Sequence, residues 1–431
     1  MPQYVGKSIA RVDGLGKATG RHKYPSDFFL PGMLHLKMVR STKAHALIKA
    51  IDTSGAEAMD GVWVFTAKDL VYNRFGNIIK DQPVFCEDKV RFYGEPVALV
   101  AAVTKERAEA AACQVRVLYE DLPVVLDGEE ALAPEAPPVH AGGNLLQKIS
   151  FANRDVAAGF ARSVLVLEDT FITPMVDHLY LETEAGIAYV DEDGILHVLA
   201  GTQNPFHDQR EISAALGLPP EKVRVQAIPT GGGFGGKDGN TVQIYLALAA
   251  YHTGRPCRLV FSREESLLTS YKRHPAKTWV KMGFAADGEI LAFEGKVIYD
   301  TGAYAALGPA VLGLGTEHFQ GPYEIKNVKI DGYLVYTNKP PASAMRGFGA
   351  PQTLFATETL LNKAAGELGL DPIEIRLRNA VTPQGEGPFG QRMEHCVGMR
   401  EALEMARSSS LWQERQQNRE PGVAYGVAAG F

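Results

Sequence analysis

The sequence predicts an α+β protein with more than one domain. Its 431 residues exceed the size of an ordinary single domain and favour two or three domains. Strand-like and helix-like stretches follow one another irregularly, and a proline-rich stretch at residues 132–139 separates a small N-terminal part from a larger remainder. A run of glycines follows one of the strand-like stretches of the larger part.

The N-terminal part is predicted to be a small mixed domain. Residues 33–39 alternate apolar and polar side chains, which indicates a half-buried strand, and residues 95–103 form a nearly continuous apolar run typical of a buried one. Thr104 is a candidate N-cap for a helix over residues 105–114, and a strand is predicted at residues 115–119. Together these elements form a strand–helix–strand unit.

The larger part carries five further strand signals, at residues 164–171, 195–199, 222–228, 258–262 and 328–336. Apolar residues recur at helical spacing over residues 242–250, where Gly254 ends the helix, and again over residues 354–368. A third helix is predicted to begin at Asp371, because a proline follows it at the first helical position.

Composition excludes several classes of protein. The chain is 45% hydrophobic and 22% charged, with a formal net charge of −6 and no basic run, so nucleic acid is not an expected partner. No stretch approaches the about 20 apolar residues that a spanning helix needs, and no apolar leader is visible. We therefore expect no membrane span and a cytoplasmic location.

Four cysteines are widely spaced and form no Cys-x-x-Cys pair: Cys86, Cys113, Cys257 and Cys396. Local spacing therefore predicts neither a zinc ribbon nor an iron–sulfur cluster, and we expect free thiols in the core.

Residues 230–237, Thr-Gly-Gly-Gly-Phe-Gly-Gly-Lys, form the most distinctive motif, which we call the glycine loop. Glycines let backbone N–H groups converge on one oxygen-rich group, and a helix predicted to begin after Asp238 would add partial positive charge. The loop also fits the dinucleotide fingerprint and nearly fits the phosphate loop, which fails where Asp238 replaces a serine or threonine. A tight turn without a ligand is the remaining alternative.

Further motifs flank the loop in order. Thr202-Gln-Asn-Pro205 precedes it, and Arg346-Gly-Phe-Gly349 follows it. With residues 11–20, 31–46 and 119–125, these motifs resemble the molybdenum hydroxylases of the xanthine oxidase and aldehyde oxidase family. The resemblance implies an a/b hammerhead domain followed by the first molybdenum-cofactor-binding domain. The implied boundaries are 1–133 and 134–415, with 416–431 as the start of a truncated or split second cofactor-binding half.

The resemblance also implies roles for particular residues. Gln203 would donate a hydrogen bond to an oxo ligand of the metal, and Gln203 and Arg346 are the implied catalytic residues. Gln203, Phe234 and Arg346 would form the molybdenum environment without binding the metal directly. The implied cofactor-binding residues are Gln203, Gly232, Gly233, Phe234, Gly235, Arg346 and Gly347.

Asp238, Leu314 and Phe348 are the implied substrate residues. Asp238 matches an acid that orients purines, with a helix N-cap as its alternative role. Leu314 stands where purine-oxidising members carry an arginine, which favours an aromatic aldehyde or a neutral N-heterocycle over xanthine. Phe348 matches an aromatic residue that stacks on flat substrates, with a place in the core as the alternative.

The family's base is a glutamate in a Gly-x-Gly-Glu segment, which this sequence lacks. Apolar residues 422–431 are predicted to begin a strand. A second molybdopterin-binding chain is therefore expected, as in the nicotinate dehydrogenases, in which this large polypeptide is split.

The implied reaction is oxidative hydroxylation with water-derived oxygen. Molybdenum–molybdopterin would bind this chain, either without an appended nucleotide or in the cytosine dinucleotide form that is common in bacterial relatives. Electrons would leave through an Fe–S subunit and an FAD subunit. An NAD-binding dehydrogenase with a doubly wound parallel sheet, and a non-catalytic truncated subunit, are the alternatives.

Overall fold

The computed structural model describes residues 4–387, 389–394, 397–415 and 420–430. The chain divides into two compact units, each assembled from separate segments. Unit 1 comprises Met1–Pro123, Asp177–Tyr271 and Lys339–Pro341, and unit 2 comprises Val124–Val176, Lys272–Asn338 and Ala342–Phe431. The predicted boundaries at 133/134 and 415/416 stay a prediction.

The strands in the described residues are β1 (Leu34–Arg40), β2 (Ala46–Asp52), β3 (Val62–Phe65), β4 (Lys89–Val90), β5 (Pro96–Ala102), β6 (Arg116–Asp121), β7 (Leu145–Asn153), β8 (Leu165–Thr173), β9 (Val176–Asp177), β10 (Ala185–Val190), β11 (Leu196–Ala200), β12 (Val223–Ala227), β13 (Cys257–Val260), β14 (Lys272–Arg273), β15 (Ala276–Phe284), β16 (Ile290–Asp300) and β17 (Val328–Val335). The α-helices are α1 (Gly14–Ala18), α2 (Ser54–Glu57), α3 (Lys105–Ala112), α4 (Val156–Ala161), α5 (Pro205–Leu216), α6 (Gln243–Thr253), α7 (Arg263–Thr269), α8 (Gly308–Glu317), α9 (Ala350–Leu368), α10 (Pro372–Asn379), α11 (Met399–Ser408) and α12 (Ser410–Glu414).

Unit 1 is built on a seven-stranded mixed sheet in the order β12-β11-β10-β13-β1-β5-β3. β11 and β12 run parallel, as do β1 and β13, whereas the other neighbouring pairs are antiparallel. Every residue of β5 is buried, as the apolar run at 95–103 predicts. The dinucleotide-binding alternative is wrong, because it requires a doubly wound parallel sheet.

A smaller sheet in unit 1 joins β4, β2 and β6. The predicted cap of α3 is confirmed, because the Thr104 side chain accepts a hydrogen bond from the Arg107 amide. Cys113, at the end of α3, is exposed, so the prediction of a core thiol is wrong there. Cys86 and Cys257 are buried free thiols, and Cys396 lies outside the described residues.

Unit 2 is built on a five-stranded sheet in the order β7-β17-β16-β15-β8. The long helix α9 packs on it through a buried stripe that includes Leu360, Leu361 and Ala364. The predicted start of the third helix is confirmed, since Asp371 caps α10 and Pro372 is its first residue.

Residues 420–430 form no helix or strand, so the strand predicted within residues 422–431 is absent from the described part of that segment. Tyr425 and Val427 instead pack on a small apolar cluster that includes Ile373 and Leu377. Residues 416–419 and 431 lie outside the described part. Among the described helices, none is long and apolar enough to cross a bilayer.

Candidate functional site

The sheet of unit 1 explains why Gln203 lies beside the glycine loop. β11 and β12 are neighbouring parallel strands, and their register pairs Leu196 with Val223 and Ala200 with Ala227. The carboxyl ends of neighbouring parallel strands meet at the same edge of a sheet. Gln203 follows β11 and the glycine loop follows β12, so both lie at that edge.

The side chain of Gln203 is fixed by the loop. Its Oε1 accepts hydrogen bonds from the amides of Gly235, at 3.1 Å, and Lys237, at 3.3 Å. The backbone N–H of Gln203 in turn donates to the backbone carbonyl of Lys237 at 2.9 Å. The two loop amides therefore occupy the carboxamide oxygen of Gln203, whereas the carboxamide nitrogen, Nε2, makes no hydrogen bond to any described residue. Gln203 is exposed, so its side chain presents a neutral donor to whatever lies against this face.

The backbone of the glycine loop forms a cradle beside Gln203. A Cβ at position 233 would lie 2.5 Å from Gln203 Oε1, so only glycine leaves room for that carboxamide. Gly235 has a φ of 103° and Phe234 a φ of 53°, a conformation that is strained for a phenylalanine. In the described part of the chain, the amides of Gly232, Gly233 and Phe234 make no hydrogen bond to protein. These amides, with the Gln203 donor, fit a ligand that carries anionic oxygens.

Lys237 holds the loop from inside the protein. Its ammonium is fully buried and donates to Glu182 Oε2 at 2.8 Å and to the Glu182 carbonyl at 3.0 Å. The same carboxyl oxygen accepts the Gly231 amide at 2.9 Å. The phosphate-loop interpretation is wrong, because its lysine would have to reach outward to phosphates. The sequence alone does not predict this role of Glu182, because Glu182 lies far from the glycine loop along the chain.

Asp238 is partly exposed in the turn after the loop. Burial raises the pKa of its carboxyl, and a hydrogen bond with the Asn204 side chain opposes that shift. The alternative role of Asp238 as a helix N-cap is wrong, since α6 begins at Gln243 with Val242 in the cap position. The prediction that a helix begins directly after Asp238 and adds partial positive charge to the loop is therefore also wrong.

The Arg346–Gly349 motif forms a second loop, in unit 2. Gly347, Phe348 and Gly349 have consecutive φ values of 93°, 50° and 100°, so the aromatic residue again adopts a left-handed conformation. The Arg346 carbonyl accepts a hydrogen bond from Arg273 Nη2 at 2.8 Å. The amides of Arg346 and Gly347 make no hydrogen bond, and the Arg346 guanidinium no ion pair, with any described residue. The second loop thus offers backbone donors and an exposed cation.

Leu314 lies on α8, which packs against the second loop. A Cβ at Gly349 would lie 2.5 Å from the Val311 carbonyl, and Tyr299 Oη donates to the Gly349 carbonyl at 2.8 Å. The first contact brings α8 against the second loop, and the second contact holds that loop to β16. Leu314 and Phe348 are both partly exposed, so the structure does not place Phe348 in the core.

The structure thus brings the predicted residues together in two groups, one in each unit. Gln203, Gly232, Gly233, Phe234, Gly235 and Asp238 belong to unit 1, whereas Leu314, Arg346, Gly347 and Phe348 belong to unit 2.

Two family models match the chain. Residues 19–123 match the aldehyde oxidase and xanthine dehydrogenase a/b hammerhead domain, and residues 139–380 match the molybdopterin cofactor-binding domain. The chain is 43% identical over 413 residues to a probable xanthine dehydrogenase subunit of Bacillus subtilis (strain 168), a match that covers 95% of this chain and 55% of that relative. It is 42% identical over 411 residues to the nicotinate dehydrogenase large molybdopterin subunit of Eubacterium barkeri, covering 95% and 97% respectively.

A solved structure agrees with these matches. The aldehyde oxidoreductase from Desulfovibrio gigas superposes with a TM-score of 0.90 at 32% identity, covering 96% of this chain and 47% of that one. The fold and the match over residues 139–380 define a molybdopterin-binding protein. The chain belongs to the xanthine dehydrogenase and aldehyde oxidase family of molybdenum oxidoreductases, as a molybdopterin-binding subunit. The predicted family and fold class are confirmed.

Proposed function

We propose that this chain binds molybdenum–molybdopterin in a hydroxylase that adds water-derived oxygen to an electron-poor carbon of an aldehyde or N-heterocycle. The observation that carries the proposal is the orientation of Gln203, whose oxygen is held by two loop amides while its nitrogen stays available as a donor. When bound, the cofactor supplies a metal-activated oxygen and accepts the electrons.

The protein's contribution in unit 1 is a set of fixed donors. Gln203 Nε2 and the amides of Gly232, Gly233 and Phe234 would stabilise negative charge on oxygen ligands without rearranging, because the loop is already held in place. Gly235 supports this arrangement, since its amide anchors the Gln203 oxygen.

In unit 2, Arg346 and Gly347 would contact the cofactor through their backbone amides. Helix α9 begins directly after this loop, and the N-terminus of a 19-residue helix adds partial positive charge. Arg346 would therefore act chiefly through its main chain.

The substrate we favour is an aromatic aldehyde or a neutral N-heterocycle. Leu314 offers an apolar surface and Phe348 an aromatic face, which suit a flat, weakly polar molecule. A leucine cannot neutralise the negative charge that a purine such as xanthine would develop at an exocyclic oxygen. Asp238 would orient the ring through a hydrogen bond.

The complex we propose contains further chains. A Gly-x-Gly-Glu base would lie outside these 431 residues, on a second molybdopterin-binding chain, and electrons would pass to Fe–S and FAD subunits. The large molybdopterin subunit of Eubacterium barkeri, which this chain matches over 97% of its length, supports such a division. A cytosine dinucleotide form of the pterin and a cytoplasmic location complete the proposal.

The test is to co-purify the complex, measure its molybdenum and pterin, and compare dye reduction with benzaldehyde, nicotinate and xanthine. We expect molybdenum to be present and the aldehyde or nicotinate to be oxidised faster than xanthine. A complex with neither molybdenum nor pterin would reject the function, and fast xanthine turnover would reject the substrate class.

A Leu314→Arg variant sharpens the substrate test. It should lower kcat/KM for benzaldehyde by about tenfold or more and shift the preference towards xanthine. Leu411→Arg, at an exposed position of unit 2, is the matched control and should change neither value.

A further inference from the structure

A buried carboxyl group lies behind the turn that presents Gln203. Asp208, on α5, is completely buried. Its Oδ2 accepts a hydrogen bond from Thr202 Oγ1 at 2.6 Å and another from Gln243 Nε2 at 3.1 Å. Thr202 precedes Gln203 directly, and Gln243 is the first residue of α6. Asp208 thus connects the turn to two helices.

The hydrogen bonds continue on both sides of Asp208. Thr202 Oγ1 accepts the Asn204 amide at 3.1 Å, which closes the turn around Gln203. Gln243 Oε1 accepts the amides of Thr241 and Val242, at 2.7 and 2.8 Å, and so fixes the start of α6. A shift of Thr202 would therefore be transmitted to Gln203.

The surroundings of the buried Asp208 carboxyl set its charge state. Its second oxygen, Oδ1, has no hydrogen-bond partner in the described part of the protein. Burial, assisted by the negative charges of Asp238 and Glu211, raises the pKa of Asp208 to about 7, against the hydrogen bonds from Thr202 and Gln243, which lower it. Tyr271 also interacts with Asp208. Lys80 pairs with Glu211 rather than with Asp208. An asparagine at this position would keep an oxygen that accepts from Thr202 and Gln243, and its nitrogen would take the place of Oδ1.

We propose that Asp208 is a positioning residue for Gln203: through Thr202 it fixes the turn that aims the carboxamide, an inference that rests on the proposed function of Gln203. Among the described residues, the Asp208 side chain makes no hydrogen bond to Gln203 or to the loop amides. Its role is to fix the place from which Gln203 donates.

The test uses the co-purified complex carrying Asp208→Ala, Thr202→Val or Asp208→Asn. Ser213→Ala is the matched control, because Ser213 lies buried on the same helix and its hydroxyl has no hydrogen-bond partner among the described residues. Each complex is measured for molybdenum content, for the paramagnetic molybdenum signal after reduction, and for kcat and KM.

We expect Asp208→Ala and Thr202→Val to alter the molybdenum signal and to lower kcat by about tenfold to hundredfold with little change in KM, because a displaced catalytic donor has effects of this size. Asp208→Asn should stay within about twofold of the unmodified complex, since it keeps an acceptor for Thr202 and Gln243. Ser213→Ala should behave in the same way.

The positioning role of Asp208 would be overturned if Asp208→Ala and Thr202→Val both left the molybdenum signal and kcat unchanged in an active complex that holds molybdenum. The proposed function would still stand in that case. If Asp208→Ala does not fold, the milder Thr202→Val decides alone. An unmodified complex without molybdenum would overturn the proposed function and the inference with it.

Discussion

The ion pair between Glu182 and Lys237 gives the sharpest prediction about stability. The lysine is fully buried and the glutamate side chain is 11% exposed, so both charges lie largely out of water. Removing one partner of a buried ion pair leaves the other charge uncompensated, at a cost of about 3–5 kcal/mol. Glu182→Gln keeps the shape of the side chain and removes only the negative charge.

The expected loss is at the lower end of that range. Lys237 Nζ would still contact the carbonyl of residue 182, and it lies 4.6 Å from the centre of the Tyr180 ring. We therefore expect Glu182→Gln to lower the free energy of unfolding by about 3 kcal/mol. The double variant Glu182→Gln/Lys237→Met should regain about 2 kcal/mol of this, because no buried charge then remains.

Urea unfolding followed by far-ultraviolet circular dichroism measures both values. The control is Glu120→Gln, which breaks the exposed pair between Glu120 and Lys49 and should cost at most about 1 kcal/mol. A loss for Glu182→Gln no larger than that of the control would refute the reasoning. So would a double variant less stable than Glu182→Gln alone.

Two further predictions concern unit 2. Gly349→Ala should destabilise the protein by about 2 kcal/mol or more, because its φ is 100° and the new Cβ would collide with the Val311 carbonyl. Gly366→Ala should instead stabilise it by up to about 1 kcal/mol, because Gly366 lies in the last turn of α9 and a Cβ there meets no atom within 4 Å. Equal thermal unfolding temperatures for the two variants would contradict this. Burial, with the nearby charge of Arg273, lowers the pKa of His274 to about 3, so the folded state keeps this imidazole neutral while the unfolded chain binds a proton below about pH 6.5. The contribution of His274 to stability is complete above the unfolded pKa and is lost as the pH falls towards 3. Between about pH 6.5 and about pH 5 the free energy of unfolding should therefore fall by about 2 kcal/mol. His274→Asn should remove this fall in the free energy of unfolding. A variant whose pH dependence matches that of the unmodified protein would argue against a neutral buried imidazole.

The sequence predicts the parts of the site that depend on local pattern. The glycine loop, the Thr202-Gln203 segment and the Arg346 motif each consist of adjacent residues, so their composition alone indicates backbone donors and their order indicates the family. Predicted strands and helices such as β5 and α9 are confirmed for the same reason, since apolar periodicity is a local signal.

The supporting residues could not be predicted in this way. Glu182 meets Lys237, and Asp208 meets Gln243, only because the chain folds back on itself, and no spacing rule links residues so far apart. The predicted start of α6 is wrong for a different reason. Asp238 is a good capping residue, but the side chain of Gln243 binds the amides just before the helix, so the helix begins later.

The seven-stranded sheet of unit 1 also constrains the synthesis of the protein. β5, which pairs with one edge of β1, follows it closely along the chain, but the other edge of β1 is completed only by β13, where Leu34 pairs with Cys257. On the ribosome, that edge of β1 stays unpaired until the chain has been made past residue 260. Until then, the unpaired edge can pair with the wrong strand. A chaperone that shields this edge during translation would raise the yield of folded protein more than one that acts after release.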